Sequence, residues 1–169
     1  MSTSEPIINI RKALLYDLRN MFAIDQAIRD TGLVPATYEG FTTKHIFGLD
    51  QTNVDTAKRS SLLGEVAKLL DLAFIAELEG HACGFIVGRH TYIVERDTEI
   101  GEIALLGVHP NYQHKGVAAK LVNALCDLFR SRSILTVLTK LDPRDKVMQA
   151  FFKRIGFTGE ELISYQKSI

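Results

Sequence analysis

His109-Pro110-Asn111-Tyr112-Gln113-His114-Lys115-Gly116-Val117-Ala118 joins the most apolar strand-like run of the chain to its strongest amphipathic helix, and the fold is decided at this junction. Upstream, Glu99 to Val108 reads as a central strand, apolar on both faces through Ile100, Ile103, Ala104, Leu105, Leu106 and Val108, as expected where a sheet is covered on both sides. Downstream, Val117, Leu121, Leu125 and Leu128, flanked by Ala118, Val122 and Phe129, give a helix to about Ser131 with one apolar stripe, which must cover the sheet. A helix beginning near Gly116 has several amide hydrogens without intrahelical partners, and Gln113, His114 and Lys115 offer no Ser, Thr, Asp or Asn cap. Basic residues there are unfavourable by about 0.3 to 1 kcal/mol each through the helix dipole, unless an anion reverses the sign. Gly116 lets backbone approach such an anion and Ala118 keeps the next position small, so the segment reads as a cradle of amides for a pyrophosphate. Taken alone, Lys115-Gly116 reads better as a plain exposed strand-to-helix turn, and it is the context that shifts the balance. No GxxxxGK[ST] occurs, nor a GxGxxG followed by an acid about 20 residues on, so ATP- and NAD-type loops are disfavoured.

Moving outward, Ile7 to Arg11 alternates as a strand would, and Leu14, Leu18, Met21 and Phe22 then adopt helical spacing to about Arg29, stopped near Gly32. Thr31 to Ala57 is poorly periodic and reads as loop with room for a short helix. Ser60 or Ser61 can cap a helix through about Leu70, and Leu72 to Glu77 and Cys83 to Arg89 form a hairpin around Glu79-Gly80. Beyond the central helix, Ser133 to Lys140 is a β-branched strand. Asp142 serves as N-cap of the last helix with Pro143 in its first turn, Val147, Phe151 and Ile155 as its buried face and Gly156 as its terminator. A final strand spans Glu161 to Gln166. This order, without repeat or linker, predicts one mixed α/β domain over residues 1–169, its sheet flanked by helices.

Composition narrows the function. Lys plus Arg and Asp plus Glu are 20 each, so no global field recruits nucleic acid or an anionic membrane. MSTSEPIINI has neither a basic leader nor an apolar core, and no run reaches the roughly 18 apolar residues of a membrane span, which places the expectation in the cytoplasm. Cys83 and Cys126 stand alone, with no CxxC pairing. The histidines His45, His81, His90, His109 and His114 form no HxxxH or HExxH pair, so no metal is expected.

Gln113-x-x-Gly116-x-Ala118, preceded by Gly107-Val108-His109-Pro110, resembles the Q/R-x-x-G-x-G/A signature of the GNAT superfamily of acyl-CoA-dependent N-acetyltransferases. Ile10-Arg11-Lys12-Ala13 with Asp17 resembles that family's first strand and helix start, and Phe151-Phe152-Lys153-Arg154-Ile155-Gly156-Phe157 its late helix. The resemblance runs from about Ile7 to Phe157. It implies a mostly antiparallel sheet splayed open between the Glu99 to Val108 and Ser133 to Lys140 strands, with the pantetheine arm of acetyl-CoA in the gap. Backbone of Leu106, Gly107 and Val108 would pair with that arm, and Gln113, His114, Lys115, Gly116, Val117 and Ala118 would hold the pyrophosphate. Direct attack by a primary amine in a ternary complex is the implied reaction. The acceptor, small molecule or protein, is not readable, and a homodimer is open because dimers are frequent in the family.

Transfer from a thioester to an amine needs a neutral amine, a stabilised oxyanion and a departing thiolate. Glu102 is the candidate general base, a carboxylate in an otherwise apolar strand, six residues before Val108 where some family members carry a catalytic Glu; an outward-facing surface carboxylate is the competing reading. Glu99 and His109 are alternatives. An outward amide near Gly107 or Val108 can serve the oxyanion, with Gly107 permitting a bulge. Many relatives protonate the thiolate with a Tyr where this chain has Phe152. Tyr112 or Tyr165 could substitute, and a thiol of pKa near 8.5 can also leave unprotonated. Asp145 stands where many relatives place a cofactor-contacting Asn, and its capping role accounts for it. Phe152 leaves room for a second reading, a non-catalytic acyl-CoA-binding sensor or structural subunit. A module without cofactor is disfavoured by the intact Gln113 to Ala118 segment.

Overall fold

The computed structural model describes residues 7–32, 66–94 and 97–159. Among the described residues five strands lie in the order β1 (Ile8–Lys12), β2 (Ala73–Leu78), β3 (His81–Ile93), β4 (Thr98–Val108) and β5 (Val137–Thr139). The first four pair antiparallel and β5 joins β4 parallel, giving the mixed, mostly antiparallel sheet that the resemblance implies. The β2–β3 turn is a two-residue hairpin with both Glu79 and Gly80 at positive φ, a geometry whose twist matches the strands it joins. Both strands of the longer hairpin outrun the periodicity: β3 continues to Ile93 and pairs there with Thr98 of β4.

Helices cover both faces. On one, α1 (Leu18–Asp30) and a helical segment over 66–71 pack Met21, Ile24, Ile28, Val66 and Leu70 against Ile75, Phe85, Val87 and Leu105. On the other, α2 (Val117–Ser131) lays Val117, Leu121, Leu125 and Phe129 over Ala76, Ile86 and Ile103. It sits very close. A Cβ on Gly84 would come within 2.9 Å of Val117, and one on Gly101 within 2.6 Å of the Phe129 ring. Small residues on the strands therefore set the helix height.

Several expectations are corrected. The first helix begins at Leu18, after a 3-10 turn over Leu15–Asp17, so Leu14 is exposed rather than on the apolar face. The strand expected over Ser133 to Lys140 is only Val137–Thr139. The last helix, α3 (Lys146–Arg154), starts later than its sequence suggests: Asp145 is the N-cap, accepting from the Met148 amide at 3.1 Å, while Asp142 accepts from the Arg144 amide in a separate turn. The buried face of α3 also differs from the expected one: Phe152 is buried and Val147 is 75% exposed. The Ser60 or Ser61 cap, the loop over 33–57 and the Glu161 to Gln166 strand lie outside the described residues. Among the described residues no helix is long and apolar enough to cross a membrane.

One buried carboxylate ties β1 to the helix that follows it. Asp17 is fully buried and takes both terminal nitrogens of Arg11, at 2.7 and 2.9 Å, plus the Leu14 amide at 2.8 Å and the Asn20 side chain at 3.0 Å. Arg11 Nε reaches on to Glu77 of β2 at 2.8 Å. Burial pushes the Asp17 carboxyl up, but these donors together outweigh it and hold it below its ordinary value. A depressed folded pKa adds stability that is present above the unfolded value of about 3.9 and is lost as pH falls through the folded one. Asp17→Asn is expected to destabilise by about 1–3 kcal/mol at pH 7. Denaturant unfolding at a series of pH values should show the gap from wild type closing below about pH 4; a gap independent of pH would contradict this role.

Candidate active site

The sheet opens where β5 leaves β4. Only Gly101, Glu102 and Ile103 of β4 pair with β5, opposite Val137, Leu138 and Thr139. From Ala104 onward that edge of β4 has no strand partner among the described residues. Ala104 is also the extra residue of a β-bulge, since Val87 pairs with Leu105 and the next residue, Gly88, with Ile103.

The bulge changes which backbone groups face the gap. Before it, the Gly101 amide donates to the Thr136 carbonyl toward β5 at 2.9 Å. After it, the His109 amide donates to the Cys83 carbonyl on β3 at 2.9 Å. Because backbone groups alternate along a strand, Gly107 spends its own on Phe85 of β3, whereas Leu106 and Val108 turn theirs to the open edge. The bulge expected at Gly107 is therefore at Ala104, and an outward amide is found at Leu106 and Val108 but not at Gly107. The Val108 carbonyl accepts from Gln113 Nε2 at 3.2 Å, which fastens the following loop to this edge.

That loop delivers an uncapped helix end. After a 3-10 turn over Pro110–Tyr112, His114 and Gly116 both take left-handed backbone, at φ 61° and 81°, a conformation that costs a non-glycine residue about 1–2 kcal/mol. Gly116 is the N-cap of α2 and provides no side chain, so the amides of the first turn, from Val117 and Ala118 on, have no side-chain acceptor. A Cβ on Gly116 would meet nothing within 4 Å, and Gln113, His114, Lys115 and Gly116 are all exposed. Lys115 Nζ lies 5.4 Å from the Tyr112 ring centroid. The segment from Gln113 to Ala118 is thus tied back to β4 through Gln113 and ends on the uncapped amides of the first turn of α2.

Glu102 lies on the α1 side of β4, two residues before the bulge. Its side chain is only 13% exposed, accepts from Thr91 Oγ1 at 3.3 Å and stands 3.8 Å from Lys140 Nζ. Its setting is thus less apolar than the strand's sequence suggests. Glu99 is exposed toward the start of β4, and His109 Nδ1 is already engaged by the Asn111 amide at 3.2 Å. Phe152 is buried between Phe151 and Phe157, with ring centroids 5.0 Å away on each side, so this position is core. Tyr112 packs half-buried at the cradle, while Tyr165 lies outside the described residues. Thr91, Lys140 and Arg89, which surround Glu102, carry no local motif. Only the register of the long hairpin, with its one-residue bulge, brings Arg89 across from Glu102 and Thr91 within its reach. A hollow of about 380 Å³ lined by Leu15, Tyr16, Arg19 and Asn20 shares no residue with the cradle or with Glu102.

A strand that parts from its neighbour and then runs into an exposed, uncapped helix N-terminus is an arrangement suited to an extended ligand that ends in an anion. Residues 42–157, more than half of the chain, match the acetyltransferase (GNAT) family, and the chain belongs to that family. A mycothiol acetyltransferase of Streptomyces coelicolor is 27% identical over 88 residues, a stretch covering 52% of this chain and 27% of that protein. In fold, the chain is similar to the aminoglycoside N-acetyltransferase AAC(6')-Iy in complex with CoA (TM-score 0.66, 17% identity, 100% of each chain covered). It is also similar to a ribosomal-protein-alanine N-acetyltransferase from Brucella melitensis (TM-score 0.61, 16% identity, 96% of this chain and 100% of that one).

Gly116→Glu tests the cradle, because it sets a carboxylate among the free amides at a point where a side chain meets no neighbour. At about 100 times Kd, a ligand of the native state contributes about 2.7 kcal/mol, a melting-temperature rise of about 5–10 °C in a chain of this size. Acetyl-CoA is expected to give that rise in wild type and none in a folded Gly116→Glu; an equal rise in both would remove the cradle from the binding site.

Proposed function

We propose that this chain is a single-domain, acetyl-CoA-dependent N-acetyltransferase that moves an acetyl group to a primary amine by direct attack in a ternary complex. The observation that carries the reading is the continuity of the free β4 edge at Leu106 and Val108 with the uncapped amides of α2. A pantetheine arm is an extended chain with two amide groups, which suits pairing with a strand edge, and its pyrophosphate suits the end of a helix. When bound, acetyl-CoA supplies the activated thioester.

The chain's own residues then have distinct tasks. Leu106 and Val108 present amides along the gap and hold the thioester beside the bulge, where one of them can donate to the oxygen as negative charge develops. Glu102 takes the proton of the incoming ammonium, directly or through one water, and Thr91 and Lys140 hold its carboxylate in place. Phe152 keeps the core beneath the gap dry and transfers no proton. Cys83 and Cys126, both free, suit a reducing compartment, which supports a cytoplasmic setting.

The buried Phe152 also favours a second reading, an acyl-CoA-binding protein without turnover. Release of free CoA thiol in the presence of a panel of amines separates the two. Wild type is expected to release it, and Glu102→Gln to lower kcat/KM by about 10²- to 10⁴-fold while keeping its thermal shift with acetyl-CoA. Binding without thiol release on any amine would favour the non-catalytic reading, and unaltered turnover in Glu102→Gln would move the base elsewhere.

A further inference from the structure

Arg89 is the cross-strand partner of Glu102, yet the two side chains form no ion pair. Along β3, Phe85 and Val87 belong to the core on the α1 side, so the alternation places Arg89 and Thr91 on that same face. Gly88 and His90 lie on the other, against Leu125 and Phe129. Glu102 shares the face of Arg89, because its carboxylate reaches Thr91. That carboxylate is held by Thr91 and Lys140, and Arg89 makes no ion pair or side-chain hydrogen bond among the described residues. Arg89 is half-buried and its Nε is enclosed without any acceptor. Arg11, similarly half-buried on β1, has its guanidinium satisfied by Asp17 and Glu77.

A guanidinium stays charged at all accessible pH, and an enclosed donor without a partner is destabilising. Its place is also specific, one strand away from the candidate base and on its face. An ammonium drawn to Glu102 arrives with Arg89 alongside. An acceptor with a second positive charge is then repelled, whereas one with a nearby negative charge is held at both ends. A carboxylate fits better than a phosphate: its planar pair of oxygens matches the guanidinium fork, and its single charge is tolerated beside Glu102, where a dianion would be repelled.

We propose that Arg89 recognises a carboxylate on the acceptor, so that the amines acetylated by this chain are those of α-amino acids and other compounds bearing a carboxylate close to the amine. This rests on the acetyltransferase reading above. Arg89 is here a specificity residue and transfers no proton.

The test compares kcat/KM for each of a set of free α-amino acids with its carboxamide and with the corresponding decarboxylated amine, in wild type, Arg89→Met and Arg89→Lys. Peptides beginning with Asp or Glu form a fourth arm, which separates a free amino acid from a protein terminus as the source of the carboxylate. Wild type is expected to prefer the carboxylate form over amide and amine by about 10- to 100-fold, the range for losing a charged hydrogen bond. Arg89→Met should bring that ratio close to one through KM, and Arg89→Lys should keep part of it. A merely structural Arg89 would lower activity on all three forms together and leave the ratio intact, which overturns the proposal. Wild-type preference for the carboxylate-free amines overturns it too, with the acetyltransferase reading left standing. Wild type that binds acetyl-CoA and acetylates no amine overturns both.

Discussion

The parting of β5 from β4 after Ile103 is the constraint on which the rest of this molecule depends. A strand inside a closed sheet has no backbone group to offer a ligand, because each is taken by a neighbour. Here three residue pairs hold the two strands together, and the bulge at Ala104 then reverses the facing of the residues after it. Leu106 and Val108 are left with amides directed into a gap, the Val108 carbonyl being taken by Gln113, beside core side chains that keep their surroundings apolar. Edges of this kind invite aggregation unless something covers them. An extended, amide-containing cosubstrate of the kind proposed above would supply such a cover.

The same strand sets the position of the second half of the site. Gln113 is bonded to the Val108 carbonyl, and Gly84 and Gly101 bring α2 down almost onto the sheet. The helix N-terminus is therefore fixed relative to the open edge by close packing, with Val117 buried directly after the exposed Gly116. The left-handed backbone at His114 and Gly116 is tolerated at that exposed loop and directs the chain so that the first amides of α2 emerge uncovered. Midway along β4, Glu102 is anchored by Thr91 of β3 and by Lys140 just after β5. Glu102, the open edge and the uncapped end of α2 are thus all referred to one strand.

Much of this is legible in the residues. The lack of a cap before Gly116 and the apolar stripe from Val117 to Phe129 place α2 with its observed bounds, since both signals are local. Where local signals compete, the residues mislead: Asp142-Pro143 and Asp145 are both good helix starts, and in the fold Asp142 closes a separate turn on the Arg144 amide while Asp145 caps the helix. The β-branched run after Ser133 has strand propensity throughout, but β5 is limited to three residues by the parting from β4, a tertiary fact. Glycine is the usual marker of a bulge and points to Gly107, whereas Ala104 takes the bulge without one. Arg89 is invisible in the sequence for a similar reason, as nothing in its neighbourhood reveals what lies across the hairpin.

The central claim is that the Leu106 and Val108 edge receives the cosubstrate, and amide hydrogen exchange by NMR with and without CoA tests it at the level of single residues. Leu106, Val108, Val117 and Ala118 should exchange fast in the free protein and slow markedly on binding, while Gly107, already bonded to β3, should change little. Binding that slows the α2 amides but leaves Leu106 and Val108 unchanged would contradict the account, because the ligand would then be held by the helix end alone.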